Sequence, residues 1–316
     1  MPDAVDILFL YAEEPIHAGV GTGLGAIDQP IQREVHTDFP VIYGSSLRGA
    51  LKDEVQRQHS DAVADTLFGS PSSQGPVSVH DARIVLFPVQ SLFGGFAWVT
   101  CPRTLAVLQR SLFTAGLWSD HEGAAQPANG DYWELPGPIE PGECLVPWPE
   151  GQTEPLSCLV QAETDNAETP TYTAVLREYA FQVAATPNEC VKAYKLADWL
   201  GRKALPQDAS FTFWREALPT HLVVLSDEDF SFFSETATQV ITRVKLGSNK
   251  TVEGSALWAE EALPPETLLH APIITRAGDF LETSRTTIKG LKATNVGGTE
   301  SIGRGRVALT FLKGGC

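Results

Sequence analysis

The first patterned stretch of the chain is an almost unbroken apolar run at residues 5–12, VDILFLYA. A run this short, rich in β-branched and aromatic residues, predicts a central strand buried on both faces. Glycines at 19, 21, 23 and 25 follow, and then an irregular arm through Pro30 and Pro40. Leu47, Ala50, Leu51 and Val55 recur at helical spacing behind Ser45 and Ser46, which predicts a helix over 46–58 with serine at its N-cap. Alternation in VSVHDARIVLF predicts a strand at 77–87, and FAWVT a second at 96–100. Leu105, Leu108 and Leu112 share one face of a helix over 103–113. Strand, helix, strand, strand, helix, strand loosely follows the split βαβ order of ferredoxin-like domains.

Periodicity then lapses. Residues 114–170 are rich in Pro, Gly and acids and read as an extended loop or insertion solvated by its own charge. Order returns at LVVLSDEDF (222–230), a strand running into a helix capped by Ser226, with Asp227, Glu228 and Asp229 favouring the first turn. Residues 240–246 and 251–258 flank the turn-like GSNK and predict a β-hairpin. The chain carries no internal repeat.

Composition adds a folded globule: 316 residues, 43% hydrophobic, with seven Trp and fifteen Phe, enough to build a large core. No stretch approaches the eighteen apolar residues of a membrane span, and the N-terminus lacks the pattern of a secretory signal. Five widely spaced cysteines without a C-x-x-C argue against a disulfide framework or zinc site, so a cytoplasmic protein with reduced thiols is expected. The net charge of −16 opposes nucleic-acid binding in general, since phosphate contacts show as basic excess. Its distribution is uneven, however. No Lys or Arg falls between Arg110 and Arg177, where eleven acids lie, whereas 270–316 holds seven Lys/Arg against three Asp/Glu.

The candidate chemistry concentrates in 17–53. Alternate glycines let a ligand lie against backbone, a helix N-terminus gathers free N–H groups suited to phosphate, and Asp28 stands beside them. Gly19-x-Gly21-x-Gly23 is not a dinucleotide fingerprint, because Pro30 intervenes and no helix follows. No G-x-x-x-x-G-K-[ST], G-x-S-x-G or H-E-x-x-H is present.

The order of these pieces resembles the RAMP superfamily of CRISPR-associated proteins, and most closely the repeated backbone subunit of the type III-B effector. The resemblance rests on LYAEEPIHAGVGTGLGAIDQPIQRE (10–34), FPVIYGSSLRGALKDEV (39–55) and GGTESIGRGRV (297–307). Weaker matches are LVVLSDEDF and the segment from ITRVKL to LPPETLLH. It implies an α+β fold, a modified ferredoxin-like (RNA-recognition-motif-like) palm with a projecting β-hairpin thumb at about 240–262. In that scheme 1–113 is the N-terminal part of the palm, 114–176 the acidic insertion and 177–316 the remainder. The implied partners are CRISPR guide RNA, target RNA, other copies of the chain and the other RAMP and effector subunits, with no membrane. The implied activity is cleavage of target RNA at regular intervals, with a divalent cation, Mg2+ or Mn2+.

Carried onto this sequence, the resemblance makes Asp28 the cutting residue and a possible metal ligand; otherwise it is an ordinary turn aspartate. His17 is a proton-transfer candidate by its near-neutral pKa, or a packed histidine. Glu253, Glu260 and Glu261 are candidates for a second carboxylate offered by a neighbouring copy's thumb, or a solvated face. RNA-backbone contacts are expected from Arg33, from Ser45, Ser46, Arg48 and Lys52 on the first helix, and from Gly297, Gly298, Gly303, Arg304, Gly305 and Arg306. For the last group, a tight C-terminal hairpin turn is the alternative. Competing functions are a structural guide-RNA subunit that does not cut, a stand-alone RAMP nuclease processing precursor RNA, and the related type III-A backbone subunit.

Overall fold

The computed structural model describes residues 3–23, 25–118, 133–163, 170–184, 187–246, 252–276 and 278–315. The strand Ala4–Ala12 is an interior strand of its sheet, flanked on both sides, as the apolar run predicts. The neighbours of that strand come from the other end of the chain. Leu268–Thr275 runs antiparallel on one side, with Tyr11 opposite Leu268, and Arg306–Leu312 on the other, with Ile7 opposite Leu312. Ala82–Gln90 and Phe96–Thr100 lie beyond Leu268–Thr275. Leu222–Leu225 then pairs parallel with Phe96–Thr100, and the sheet ends in short strands drawn from 143–183.

Helices cover both faces, which explains why the first strand is apolar at successive positions. Leu8, Leu10 and Ala12 pack with Leu47, Leu51 and Val55 of the helix Gly44–Gln58 and with Phe230 and Phe233 of Asp227–Thr236. Ile7, Phe9 and Tyr11 point the other way, onto Leu105, Leu108 and Leu112 of Pro102–Thr114 and Leu196 and Leu200 of Pro187–Lys203. Each such side chain, fully buried, contributes about 1.5–3 kcal/mol. The polar exception is Asp6. Its carboxylate takes Arg285 Nε and Nη2 at 3.0 and 2.8 Å and the Gly314 N–H at 2.8 Å, all buried.

Two local expectations change. The first helix begins at Gly44, and neither serine caps it: the Gly44 N–H donates to Asp81 Oδ1 at 2.7 Å. Glycine is required there because a Cβ would sit 2.4 Å from the Val79 carbonyl oxygen. A carboxylate therefore already occupies part of the supposed phosphate seat. The acidic segment is also more than a loop. Trp133, Cys144, Leu145 and Val146 are buried, and Glu143–Leu145 joins the sheet between Leu222–Leu225 and Tyr179–Val183. Its apolar runs, such as Cys144–Val146, are short and hemmed in by prolines and acids, so they enter the sheet without showing a period of their own. Glu134, Glu140, Glu143, Glu150 and Glu154 remain exposed.

The hairpin and the Ser226 cap agree with expectation. Gln239–Leu246 pairs antiparallel with Val252–Ala262, Val244 opposite Leu257. Most of the turn, 247–251, lies outside the described residues. Ser226 Oγ accepts the Asp229 N–H at 3.0 Å.

Candidate nucleic-acid interface

The two glycine-rich turns, nearly 280 positions apart in sequence, meet. The Gly298 N–H donates to the His17 carbonyl at 2.9 Å and the Gly305 N–H to the Pro15 carbonyl at 2.9 Å. Gly297 has φ +91°, and a Cβ on it would fall 2.4 Å from the His17 carbonyl oxygen. Only glycine permits that approach in that conformation. Between the turns and the first helix lies a groove of about 620 Å3, lined among others by Gly19, Gln32, Ser46, Asn295 and Gly298. Its described lining holds no Lys or Arg and includes two acids, Asp53 and Glu300.

His17 stands in this groove. Its Nδ1 donates to the Glu261 carbonyl at 2.6 Å, which leaves Nε2 as the free ring nitrogen. The imidazole lies so close to Gly19 that a Cβ there would meet Nε2 at 2.7 Å. Gln32, which no sequence signal singled out, braces the floor. It donates to the Gly19 carbonyl and Ser46 Oγ, both at 3.2 Å, and accepts the Tyr43 N–H at 2.6 Å.

Asp28 is exposed at the base of the hairpin. Its Oδ2 accepts the Ala259 N–H at 2.8 Å, while the Gln29 N–H donates to the Ala259 carbonyl and the Glu261 N–H to the Gln29 carbonyl, both at 3.0 Å. The arm thus runs as a partial strand along the hairpin's returning strand and holds Asp28 with one carboxylate oxygen, Oδ1, outside this bond.

The charged residues expected to reach RNA are largely engaged within the fold. Arg33 Nη2 pairs with Glu261 Oε1 at 2.6 Å and its Nη1 donates to the Asp38 and Ser234 carbonyls. Arg304 Nη1 meets Glu260 Oε1 at 3.0 Å, and Arg306 pairs with Glu13 at 3.2 Å. Glu260 and Glu261 are only 1% and 2% exposed, so they are neither a solvated face nor carboxylates free for a neighbour. The hairpin's returning strand carries them into the core, where each is matched by arginine. Glu253 lies on the same strand, its side chain outside the described residues.

The first helix splits its candidates. Ser46 faces the groove. Ser45 is exposed beside Asp81 and Arg83 on another side. Arg48 donates to the Phe68 carbonyl and Lys52 to the Gly69 carbonyl, the latter at 2.8 Å, so both cap the C-terminus of the helix Asp61–Phe68. Gly303 (φ +77°) and Gly305 (φ +81°) adopt the left-handed conformation that shapes the C-terminal turn. Of the basic excess in 270–316, Arg285 and Arg304 are buried in ion pairs and Arg306 and Lys313 are paired at the surface. Among the described residues, no group of three His, Cys, Asp or Glu side chains gathers as a metal cluster, and no helix is long and apolar enough to cross a membrane.

Beside a mixed sheet sheathed in helices, a two-stranded hairpin outside that sheet and two converging glycine turns, sequence comparison gives the class: the RAMP superfamily profile matches residues 9–308, and the chain belongs to that superfamily. The CRISPR system Cmr endoribonuclease Cmr4 of Pyrococcus furiosus is 30% identical, over 96% of this chain and 94% of that one. Among solved structures, oligomeric Cmr4 from Pyrococcus furiosus superposes with a TM-score of 0.68 at 23% identity, each chain covered in full. A chain of the type III-B Cmr-beta complex bound to cognate target RNA superposes with a TM-score of 0.67 at 17% identity, covering 97% of this chain and 96% of that one.

Proposed function

We propose that this chain is the backbone subunit of a type III-B CRISPR effector, binding guide RNA and cutting complementary target RNA. The observation that carries the reading is the placement of Asp28: it is bonded to the base of the hairpin, and the same hairpin strand touches both glycine-rich turns. In this reading the sheet and its helices form the modified ferredoxin-like palm, and Gln239–Ala262 is the thumb. Copies stack along one guide in the cytoplasm together with the other RAMP and effector subunits, and base pairing, not this protein, supplies sequence recognition.

The groove grips the guide through backbone N–H groups, Ser46 and neutral amides, because its glycines admit a ribose-phosphate strand without side-chain bulk. Asp28 Oδ1 orients a target 2′-hydroxyl toward the adjacent phosphorus. The 2′-oxygen bonds to phosphorus, its proton leaves to a carboxylate or water, and the 5′-oxygen departs with a proton. The products are a 2′,3′-cyclic phosphate and a 5′-hydroxyl. The exposed Asp28 Oδ1, outside the bond to Ala259, is a hard oxygen ligand of the kind a cation of the Mg2+ or Mn2+ type takes. Asp28 would hold that ion, which would supply charge neutralisation at the phosphate.

The test is Asp28→Ala in the assembled complex. Target cleavage is expected to vanish while guide and target binding persist. Undiminished cleavage would sink the nuclease assignment and leave the structural guide-RNA subunit.

A further inference from the structure

Three consecutive residues of the hairpin's returning strand hold three different parts of the interface. Ala259 bonds Asp28 through its N–H at 2.8 Å. The Glu260 carboxylate takes Arg243 Nε and Nη2 at 2.9 and 3.2 Å and Arg304 Nη1, from the C-terminal glycine turn, at 3.0 Å. The Glu261 carboxylate takes the Ile31 N–H at 3.0 Å, Arg33 at 2.6 Å and Thr238 Oγ1 at 2.8 Å, while its carbonyl takes His17. Successive side chains of a strand point to opposite faces. The adjacent glutamates therefore reach in opposite directions, one to the C-terminal turn and one to the arm that carries Asp28.

We propose that Ala259–Glu260–Glu261 is a positioning strut that fixes Asp28 against the guide seat, and that Arg33 and Arg304 act on cleavage through it and are not RNA ligands. This rests on the nuclease reading above. The side chains of Arg33 and Arg304 are 15% and 8% exposed, and those of their carboxylate partners 2% each. For Arg33 to turn to a phosphate, it would have to leave the buried Glu261 without its counter-charge, a strongly unfavourable exchange; Arg304, itself buried, would have to give up its bond to Glu260 and leave that carboxylate to Arg243 alone. The bonds instead set where the arm lies along the hairpin, and so where Asp28 Oδ1 sits. In-line attack is sensitive to such placement: a displacement of about 1 Å costs on the order of 100-fold in rate.

The experiment uses the reconstituted complex with its guide and measures single-turnover cleavage at saturating target, together with target affinity across a salt series. Variants are Arg33→Met, Arg33→Lys, Arg304→Met, Glu261→Gln and, as reference, Asp28→Ala. The Met variants are expected to lower the cleavage rate constant by about 10- to 100-fold with target affinity and its salt slope unchanged. Arg33→Lys should restore part of the rate, since it returns the charge to Glu261. Loss of affinity with a flattened salt slope and a normal rate at saturation would make the arginines RNA contacts and overturn the proposal. Should a Met variant fail to assemble, Glu261→Gln decides, because it preserves volume and still accepts the Ile31 N–H: a slowed rate in an intact complex supports the strut, a normal rate overturns it. If Asp28→Ala abolishes cleavage while every strut variant cuts normally, only the strut is wrong. If Asp28→Ala cuts normally, the nuclease reading beneath it fails.

Discussion

Asp28 Oδ2 and the backbone N–H of Ala259 are joined at 2.8 Å across 231 positions of sequence. The bond is exposed, so Asp28→Asn, whose amide oxygen keeps the acceptor, should leave stability nearly unchanged, and Asp28→Ala should cost about 1 kcal/mol. Both should remove target cleavage. Thermal melting beside a gel-based cleavage assay separates the small structural effect from the large chemical one.

At Gly297 both conformation and space forbid a side chain. Gly297→Ala should cost about 1–2 kcal/mol from its left-handed backbone alone, with a further penalty for the clash with the His17 carbonyl. Gly303→Ala has similar backbone strain (φ +77°) but no atom within 4 Å of the added carbon. The expected order is a larger loss of stability and guide binding at 297 than at 303, read by denaturant midpoint and filter binding.

On the proposed reading the groove holds the guide with no lysine or arginine in its described lining, and its two acids oppose phosphate. Each neutralised phosphate on a single strand contributes a slope of about −0.7 to log affinity against log salt. The increment per added protomer should be well below that of a lysine-lined channel. Asp53→Asn combined with Glu300→Gln should strengthen guide binding most at low salt, and no change in affinity would place the guide elsewhere.

Burial lifts the Glu266 carboxyl to about 7. The Tyr11 hydroxyl donates to its Oε2. A carboxyl whose folded pKa exceeds its unfolded value, about 4.3, contributes its stability fully below that lower value and loses it as pH rises through about 7. The side chain retains some contact with water, so the loss should be only about 1–2 kcal/mol. Unfolding free energy measured from pH 4 to 8 should fall less steeply in Glu266→Gln than in the parent chain.

The Asp6–Arg285 pair is the deepest charge contact described in the sheet's core. Arg285→Met removes one member and leaves a buried carboxylate unmatched, at a cost of about 3–5 kcal/mol. Replacing Asp6 and Arg285 together with apolar residues should recover much of that loss, as a double-mutant cycle in urea would show.

Elements whose cause is local were legible in the chain. The apolar run at 5–12, the Ser226 cap and the hairpin flanks each carry their own signal within a few residues. The converging turns were recognisable as a pair through the order of motifs. What stayed hidden depends on partners hundreds of positions away. Nothing near Glu260 or Glu261 reveals that Arg304 and Arg33 await them, and a pair of glutamates on a strand reads as surface. Asp81 as the cap of the first helix, Gln32 as a brace and Asp6 as a buried ion are hidden for the same reason. The strand Glu143–Leu145 was missed because a run of three apolar residues between acids and prolines is too short to show a period.

The strand Ala4–Ala12 has consequences for synthesis. Residues 4–12 are made long before both strands that flank them, 268–275 and 306–312. Until then a nine-residue, largely apolar ribbon has neither neighbour, and loops of more than 250 residues must close before it gains them. A nascent product released before those strands are made would present that ribbon to chaperones and proteases.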